Sequence, residues 1–127
     1  MNQNKILPKI LIADDDPSCA IQIFHTLRQL SYQVHQAGSG RQAIEFIIES
    51  SADILITDMY MEDMTGLDLM GSALQINPDI LTIAITGQGD IDLAIEFMKR
   101  GGIDFLQKPI DKYHIIARSS RLRNDFA

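Results

Sequence analysis

Five short apolar runs recur along the chain, separated by stretches with a different hydrophobic period, and this alternation restricts the fold more than any other feature. The runs are KILIAD (9–14), QVHQA (33–37), DILITD (53–58), ILTIAIT (80–86) and IDFLQK (103–108). Three of them are apolar enough to be buried on both faces, as strands of a parallel sheet covered by helices are. Between them, apolar residues return at steps of three or four: Ala20, Ile23, Phe24, Leu27 and Leu30; Ala43, Ile44, Ile47 and Ile48; Leu67, Met70 and Leu74; Ala94, Ile95 and Met98. That spacing lines one face of a helix. A last helix from about Asp111 carries a sparser stripe of Ile115, Ser119, Leu122 and Phe126, and is expected to be the least firmly packed. Pro17 after Asp16 suits a first helical turn, Ser39 and Asp90 suit N-caps, and Asn77-Pro78 and Gly101-Gly102 suit stops. The expected fold is α/β: one doubly wound (βα)5 domain, a five-stranded parallel sheet with right-handed crossovers and helices on both faces.

With 127 residues, 46% of them hydrophobic, the chain is long enough to bury a core of its own. A net charge of -6 argues against general binding to nucleic acid or anionic membrane, both of which need a basic field. The single cysteine, Cys19, cannot form an internal disulfide, and packing is the expected role. There is no apolar leader and no long apolar span, so a cytoplasmic location is expected.

In open α/β sheets ligands bind beyond the carboxyl ends of the strands, so those ends carry the most information. The first run ends in Asp14-Asp15-Asp16, the third in Asp58, the fourth in Thr86-Gly87 and the fifth in Lys108-Pro109; the second, ending in Ala37-Gly38, brings nothing. Carboxylates gathered at one edge repel each other unless a cation joins them. Mg²⁺ suits such a set, since it takes hard oxygen ligands and commonly bridges one or two carboxylates to a phosphate. A carboxylate can also attack phosphorus, and a lysine and a hydroxyl can then orient the phosphoryl oxygens. Each residue has a plainer reading: Asp16 as a helix cap, Asp58 as the cap of the next turn, Thr86 as a strand-end hydroxyl, Lys108 as a surface lysine. Their conjunction in this order favours the chemical reading.

The segments ILIADDDP, ILITDMYMEDMTGLDLM, AITGQGD and GGIDFLQKPI closely resemble the response-regulator receiver domain of two-component signalling, over roughly residues 8 to 122. The resemblance implies the strand order 2-1-3-4-5 and, for residues 1–127, a single receiver domain with no output module. It implies that Asp58 is the phosphoacceptor, taking a phosphoryl group from the phosphohistidine of a sensor histidine kinase or phosphotransfer protein. Asp14 and Asp15 match the acidic pair that holds Mg²⁺, with Asp15 the more direct ligand, and the Tyr60 backbone carbonyl matches the third protein ligand beside Asp58. Thr86 matches the hydroxyl that turns toward the phosphoryl group, Lys108 the lysine that pairs with it, and Lys108-Pro109 a cis peptide. Phe105 falls at the switch position, often tyrosine in the family, with plain core packing as its alternative. The responding surface would be the fourth helix, fifth strand and fifth helix, where Glu96, Lys99, Arg100, Asp104, Arg118 and Arg121 carry both signs of charge; a homodimer on this face is one reading and ordinary solvated charge the other. The domain itself would bind neither nucleic acid nor membrane. Its chemistry would be its own phosphorylation and a slow autodephosphorylation, with Tyr60 and Gln88 placed to shield the phosphate from water.

One departure stands beside the proposed site. Receivers commonly carry proline four residues after the phosphoacceptor; this chain has Glu62, followed by Asp63. The expectation is a less restrained loop and extra negative charge, which would favour Mg²⁺ and slow an anionic phosphodonor. A haloacid-dehalogenase-like phosphatase would instead use Asp14-x-Asp16 with Thr86 and Lys108, but it leaves Asp58 unexplained and lacks a later acidic pair. A dinucleotide-binding domain fits poorly, because GSG (38–40) and GQG (87–89) are incomplete and misplaced fingerprints. An interaction module that keeps the fold without phosphorylation is disfavoured by the complete residue set. His25, His35 and His114 have no ligand-like spacing. FMKRGGIDFLQKPI and the residues before it resemble receivers that precede DNA-binding or ATPase modules in transcription regulators.

Overall fold

The computed structural model describes residues 7–126, excepting the side chains at 121 and 123–126. Five strands alternate with five helices: β1 (Lys9–Ala13), α1 (Pro17–Gln29), β2 (Gln33–Ala37), α2 (Gly40–Ser50), β3 (Ile54–Asp58), α3 (Gly66–Ile76), β4 (Leu81–Thr86), α4 (Ile91–Lys99), β5 (Asp104–Gln107) and α5 (Lys112–Phe126). All strand pairs are parallel and the sheet order is β2-β1-β3-β4-β5, as the resemblance implied.

The period of two along the central strands divides the core between the faces. Ile10 and Ile12, Ile54 and Ile56, and Ile83 and Ile85 pack with Ala20, Ile23 and Leu27 of α1 and Ile115 and Leu122 of α5. Their neighbours Leu11, Ala13 and Leu55 pack with Ala43 and Ile47 of α2 and Leu69 and Ala73 of α3. A smaller cluster of Met59, Met70, Ala84 and Phe97 lies under α4, with Phe105 packed against it.

Caps account for most helix boundaries. Asp16 accepts a hydrogen bond from the Ser18 N–H at 3.1 Å, and Pro17 opens α1 without an N–H to satisfy. Ser39 accepts from the Gln42 N–H at 3.1 Å. Asn77 closes α3, and Gly101 takes φ +119 after α4.

Three expectations need correction. Ile48 is 64% exposed, so α2 turns Ala43 and Ile47 to the sheet and leaves Ile48 outside. In α4, Ile95 and Met98 are exposed and Phe97 is fully buried beside Ala94. Both stripes have helical spacing; the sheet receives the one with the ring because Gly102 leaves room, a Cβ there lying 2.2 Å from the Phe97 ring. Asp90 precedes α4 but gives it no side-chain cap, its carboxylate accepting instead from the Gly87 N–H at 3.0 Å. In α5, Ile115, Ser119 and Leu122 are buried as the stripe required; the side chain of Phe126 lies outside the described residues. No described helix is long and apolar enough to cross a membrane.

Candidate functional site

Strand register brings the polar residues together. Ala13 of β1 lies opposite Thr57 of β3, so Asp14, the next residue, arrives beside Asp58 at the carboxyl edge. On the other side Asp58 pairs with Ile85, and Thr86 with Gln107, which places Lys108 one step further along the same edge. Asp14, Asp15 and Asp58 each present a carboxylate oxygen, all within 4.8 Å of one another. Asp14 and Asp58 are buried; Asp15 is exposed. The Lys108 ammonium stands 3.7 Å from Asp58 Oδ1, and the Lys108–Pro109 peptide is cis.

Backbone donors hold the two buried acids. The Met59 N–H donates to Asp58 Oδ1 at 2.9 Å and the Asp16 N–H to Asp14 Oδ1 at 2.9 Å. Gly66, the first residue of α3, presses on the back of this strand end: a Cβ there would stand 2.5 Å from the Asp58 carbonyl oxygen, and its N–H donates to the Met59 carbonyl at 2.8 Å. Only glycine fits so close to the main chain.

The electrostatics show what this arrangement lacks. Burial, only partly offset by the Asp16 N–H, and then the neighbouring Asp58 charge push the Asp14 carboxyl up to about 6. Its second oxygen, Oδ2, is buried and has no hydrogen-bond partner among the described residues. A buried anionic oxygen without a donor beside another carboxylate calls for a proton or a cation. The set of hard oxygen donors fits Mg²⁺. Lys108 is pulled two ways: burial disfavours its charge, while Asp58 and the other acids favour it and prevail, so its pKa is raised. Cys19 also borders the site, and burial with the Asp14 charge pushes its thiol up to about 11. It is therefore a packed thiol, as expected of it, and a poor nucleophile.

The other candidate residues lie on β4, β5 and the loops that follow β3 and β4. Tyr60 follows Asp58 by two residues, with its backbone bridged to Thr65 and the residue 57% exposed. Thr86 is buried, and its hydroxyl donates to the Leu106 carbonyl at 3.5 Å. Phe105 is half-buried on β5 against the cluster that contains Met59. Gln88 is exposed. Asp16 caps α1, its carboxylate accepting from both the Ser18 N–H and hydroxyl, and it does not join the carboxylate cluster, which disfavours the Asp14-x-Asp16 pair of a phosphatase. Among the described residues no histidine joins a metal-capable cluster; His35 packs on Phe46, with ring centroids 4.8 Å apart.

Several contacts were not visible in the one-dimensional pattern. The Glu62 N–H donates to Asp15 Oδ2 at 2.8 Å, and Asp63 accepts from the Gly40 and Arg41 N–H groups at 3.0 and 2.9 Å. The loop after Asp58 is thus tied to the β1–α1 loop on one side and to the start of α2 on the other. Arg118 of α5 pairs with Asp104 and donates to the Phe105 carbonyl at 2.9 Å, tying β5 to the last helix. A cleft of about 920 Å³ passes Gln88, Phe105 and Lys108 and reaches Lys112 and Arg118. Its charged lining is mixed: Lys108 pairs with Asp58, Arg118 with Asp104, and Lys112 stands beside Asp111 in the chain.

Comparison with known proteins agrees with this geometry. The response regulator receiver domain family model matches residues 10–120. The chain is 32% identical to the regulatory protein LuxO of Vibrio cholerae over 121 residues, covering 90% of this chain and 27% of the relative. It is 34% identical to the response regulator protein PilR of Pseudomonas aeruginosa over 119 residues, covering 91% and 27%. Among solved structures, a response regulator receiver domain protein of Clostridium thermocellum superposes with a TM-score of 0.81 at 30% identity, covering 95% of this chain and 100% of that one. The receiver domain of NtrX from Brucella abortus shares the fold with a TM-score of 0.87 at 22% identity, over 91% and 98% of the two chains. The chain belongs to the response regulator receiver domain family, and is thus a signalling module of the two-component type. It spans about a quarter of the length of the curated relatives it matches.

Proposed function

We propose that residues 8–122 act as a phosphoacceptor receiver in which Asp58 takes a phosphoryl group from the phosphohistidine of a sensor histidine kinase or phosphotransfer protein. The observation that carries this is the buried Asp58 carboxylate, within 4.8 Å of two further carboxylates and 3.7 Å from the Lys108 ammonium. Asp14, Asp15, Asp58 and the Tyr60 carbonyl would hold Mg²⁺. When bound, the ion neutralises the crowded carboxylates and the oxygens of the incoming phosphoryl group.

The chain's own groups perform the rest. An Asp58 oxygen attacks phosphorus as the P–N bond to the donor imidazole breaks, leaving an acyl phosphate on Asp58 and a histidine free to take up a proton. Lys108 moves its charge from the Asp58 carboxylate to a phosphoryl oxygen. Thr86, whose long bond to the Leu106 carbonyl is easily given up, turns its hydroxyl to another. Rotation of Thr86 empties space behind β4 and β5, and Phe105 moves inward against Ala84 and Met59. Because Arg118 is bonded to the Phe105 carbonyl, that movement is felt on the α4-β5-α5 face. Ile91, Ile95 and Met98 of α4 are exposed beside it, and we assign this face to partner binding or homodimerisation. Exposed Tyr60 and Gln88 leave slow hydrolysis by the site itself as the return path. By analogy with the DNA-binding transcriptional regulator NtrC of Azospirillum brasilense and the transcriptional regulatory protein ZraR of Escherichia coli, the output is transcription in the cytoplasm, with DNA bound elsewhere than on this domain.

Incubation with Mg²⁺ and a small acyl-phosphate donor, followed by intact mass, tests the reading. The wild type should gain the mass of one phosphoryl group and Asp58→Asn should gain none. An unchanged wild-type mass, or equal labelling of both proteins, would overturn it.

A further inference from the structure

The three carboxylates are not held alike. Asp14 and Asp58 are buried and each accepts an N–H from its own strand end, whereas Asp15 is exposed on the β1–α1 loop. An exposed aspartate exchanges rotamers unless something fixes it. Here the donor comes from 47 residues away: the Glu62 N–H meets Asp15 Oδ2 at 2.8 Å. That N–H is itself presented by an anchored loop. On one side Met61 donates to the Met64 carbonyl at 3.2 Å, and on the other Asp63 grips the first two N–H groups of α2. The Glu62 side chain is exposed and makes no hydrogen bond or ion pair among the described residues. So the contact that reaches the carboxylate cluster is made by the backbone of residue 62, not by its charge.

The geometry points to the Glu62 backbone N–H as a positioning donor that, in this chain, holds the exposed Asp15 carboxylate ready for Mg²⁺, a contact that the proline common at this position in other receivers could not make. This rests on the metal-binding reading above and replaces the electrostatic role expected for Glu62 from its charge. A carboxylate has room for about four hydrogen-bond or metal contacts, so one N–H leaves Asp15 free to coordinate. Charge-assisted N–H bonds of this kind orient a ligand before the ion arrives, and outer contacts to metal ligands commonly govern affinity.

Mg²⁺ titrations followed by backbone amide NMR shifts separate the two roles. Glu62→Gln removes the charge and keeps the N–H, and should bind Mg²⁺ as the wild type does; Glu62→Pro removes the N–H and should weaken binding roughly threefold to tenfold. Equal weakening in both variants, or wild-type affinity in Glu62→Pro, overturns the positioning role. Saturable binding absent from the wild type overturns the metal reading and this role with it. A second measurement needs neither Mg²⁺ nor a folded proline variant: in the metal-free protein the Glu62 amide should be protected from hydrogen exchange and lose that protection in Asp15→Ala. Identical exchange in the two proteins overturns the contact itself.

Discussion

Asp14 is the residue where folding and chemistry pull in opposite directions. Its folded pKa of about 6 lies above the ordinary 3.8, so the metal-free fold binds the proton more tightly than the unfolded chain. Stability from this group therefore increases as pH falls from above 6 toward 3.8, and at higher pH the buried charge costs about 2 to 3 kcal/mol. Asp14→Asn should accordingly raise the Tm of the metal-free protein at pH 7.5 and have little effect near pH 4. The same substitution should abolish the Tm increase that Mg²⁺ gives the wild type. Since the ion competes with the proton, the wild-type increase should shrink as pH drops through about 6. A thermal melt series at three pH values, with and without Mg²⁺, checks both signs; a lower Tm for Asp14→Asn at pH 7.5 would contradict the desolvation account.

At the scale of elements, α4 separates what a hydrophobic pattern conveys from what packing decides. Ala94, Ile95 and Met98 form a legitimate helical stripe, and so do Leu93, Ala94 and Phe97. A nine-residue helix is too short for periodicity to choose between them, and the space at Gly102, just beyond the helix end, makes the choice. Phe97→Ala should cost about 3 to 5 kcal/mol in urea unfolding, while Ile95→Ala should stay within about 0.5 kcal/mol. The strand ends were legible for the opposite reason. A run such as ILIT followed by Asp58 has one way to sit in a covered parallel sheet, and its last residue must emerge at the carboxyl edge. Asp16, Ser39 and Asn77 were legible as caps because the partner lies within three residues or closes the preceding turn. Contacts across loops were not: Glu62 to Asp15 and Asp63 to Gly40 depend on where two separate loops come to rest, and no local preference encodes that. Asp90 failed as a cap because its carboxylate finds the Gly87 N–H first.

For the molecule as a whole, the apolar residues left outside the core matter as much as those inside. Ile91, Ile95 and Met98 share the exposed side of α4, whereas much of the mixed charge expected to pair across a dimer is already satisfied within the chain, Arg100 with Glu96 at 2.7 Å and Arg118 with Asp104; Arg121 lies outside the described side chains. Association through this face should therefore depend on apolar contact more than on ion pairs. The phosphorylated protein should sediment as a dimer, and Ile95→Glu should remain monomeric while still taking up the phosphoryl group. A monomeric phosphorylated wild type would remove the homodimer and leave the face to another partner. The α1–α5 side carries a different consequence. The buried Tyr32 hydroxyl donates to the Ser119 carbonyl at 2.9 Å, and Ile115 and Leu122 complete the layer over Ile10 and Leu27. A chain emerging from the ribosome can pair its first three strands and cover one face with α1 alone, yet that wall stays half-built until α5 is made, so part of the early core must wait, greasy side outward, for nearly the whole domain to be translated.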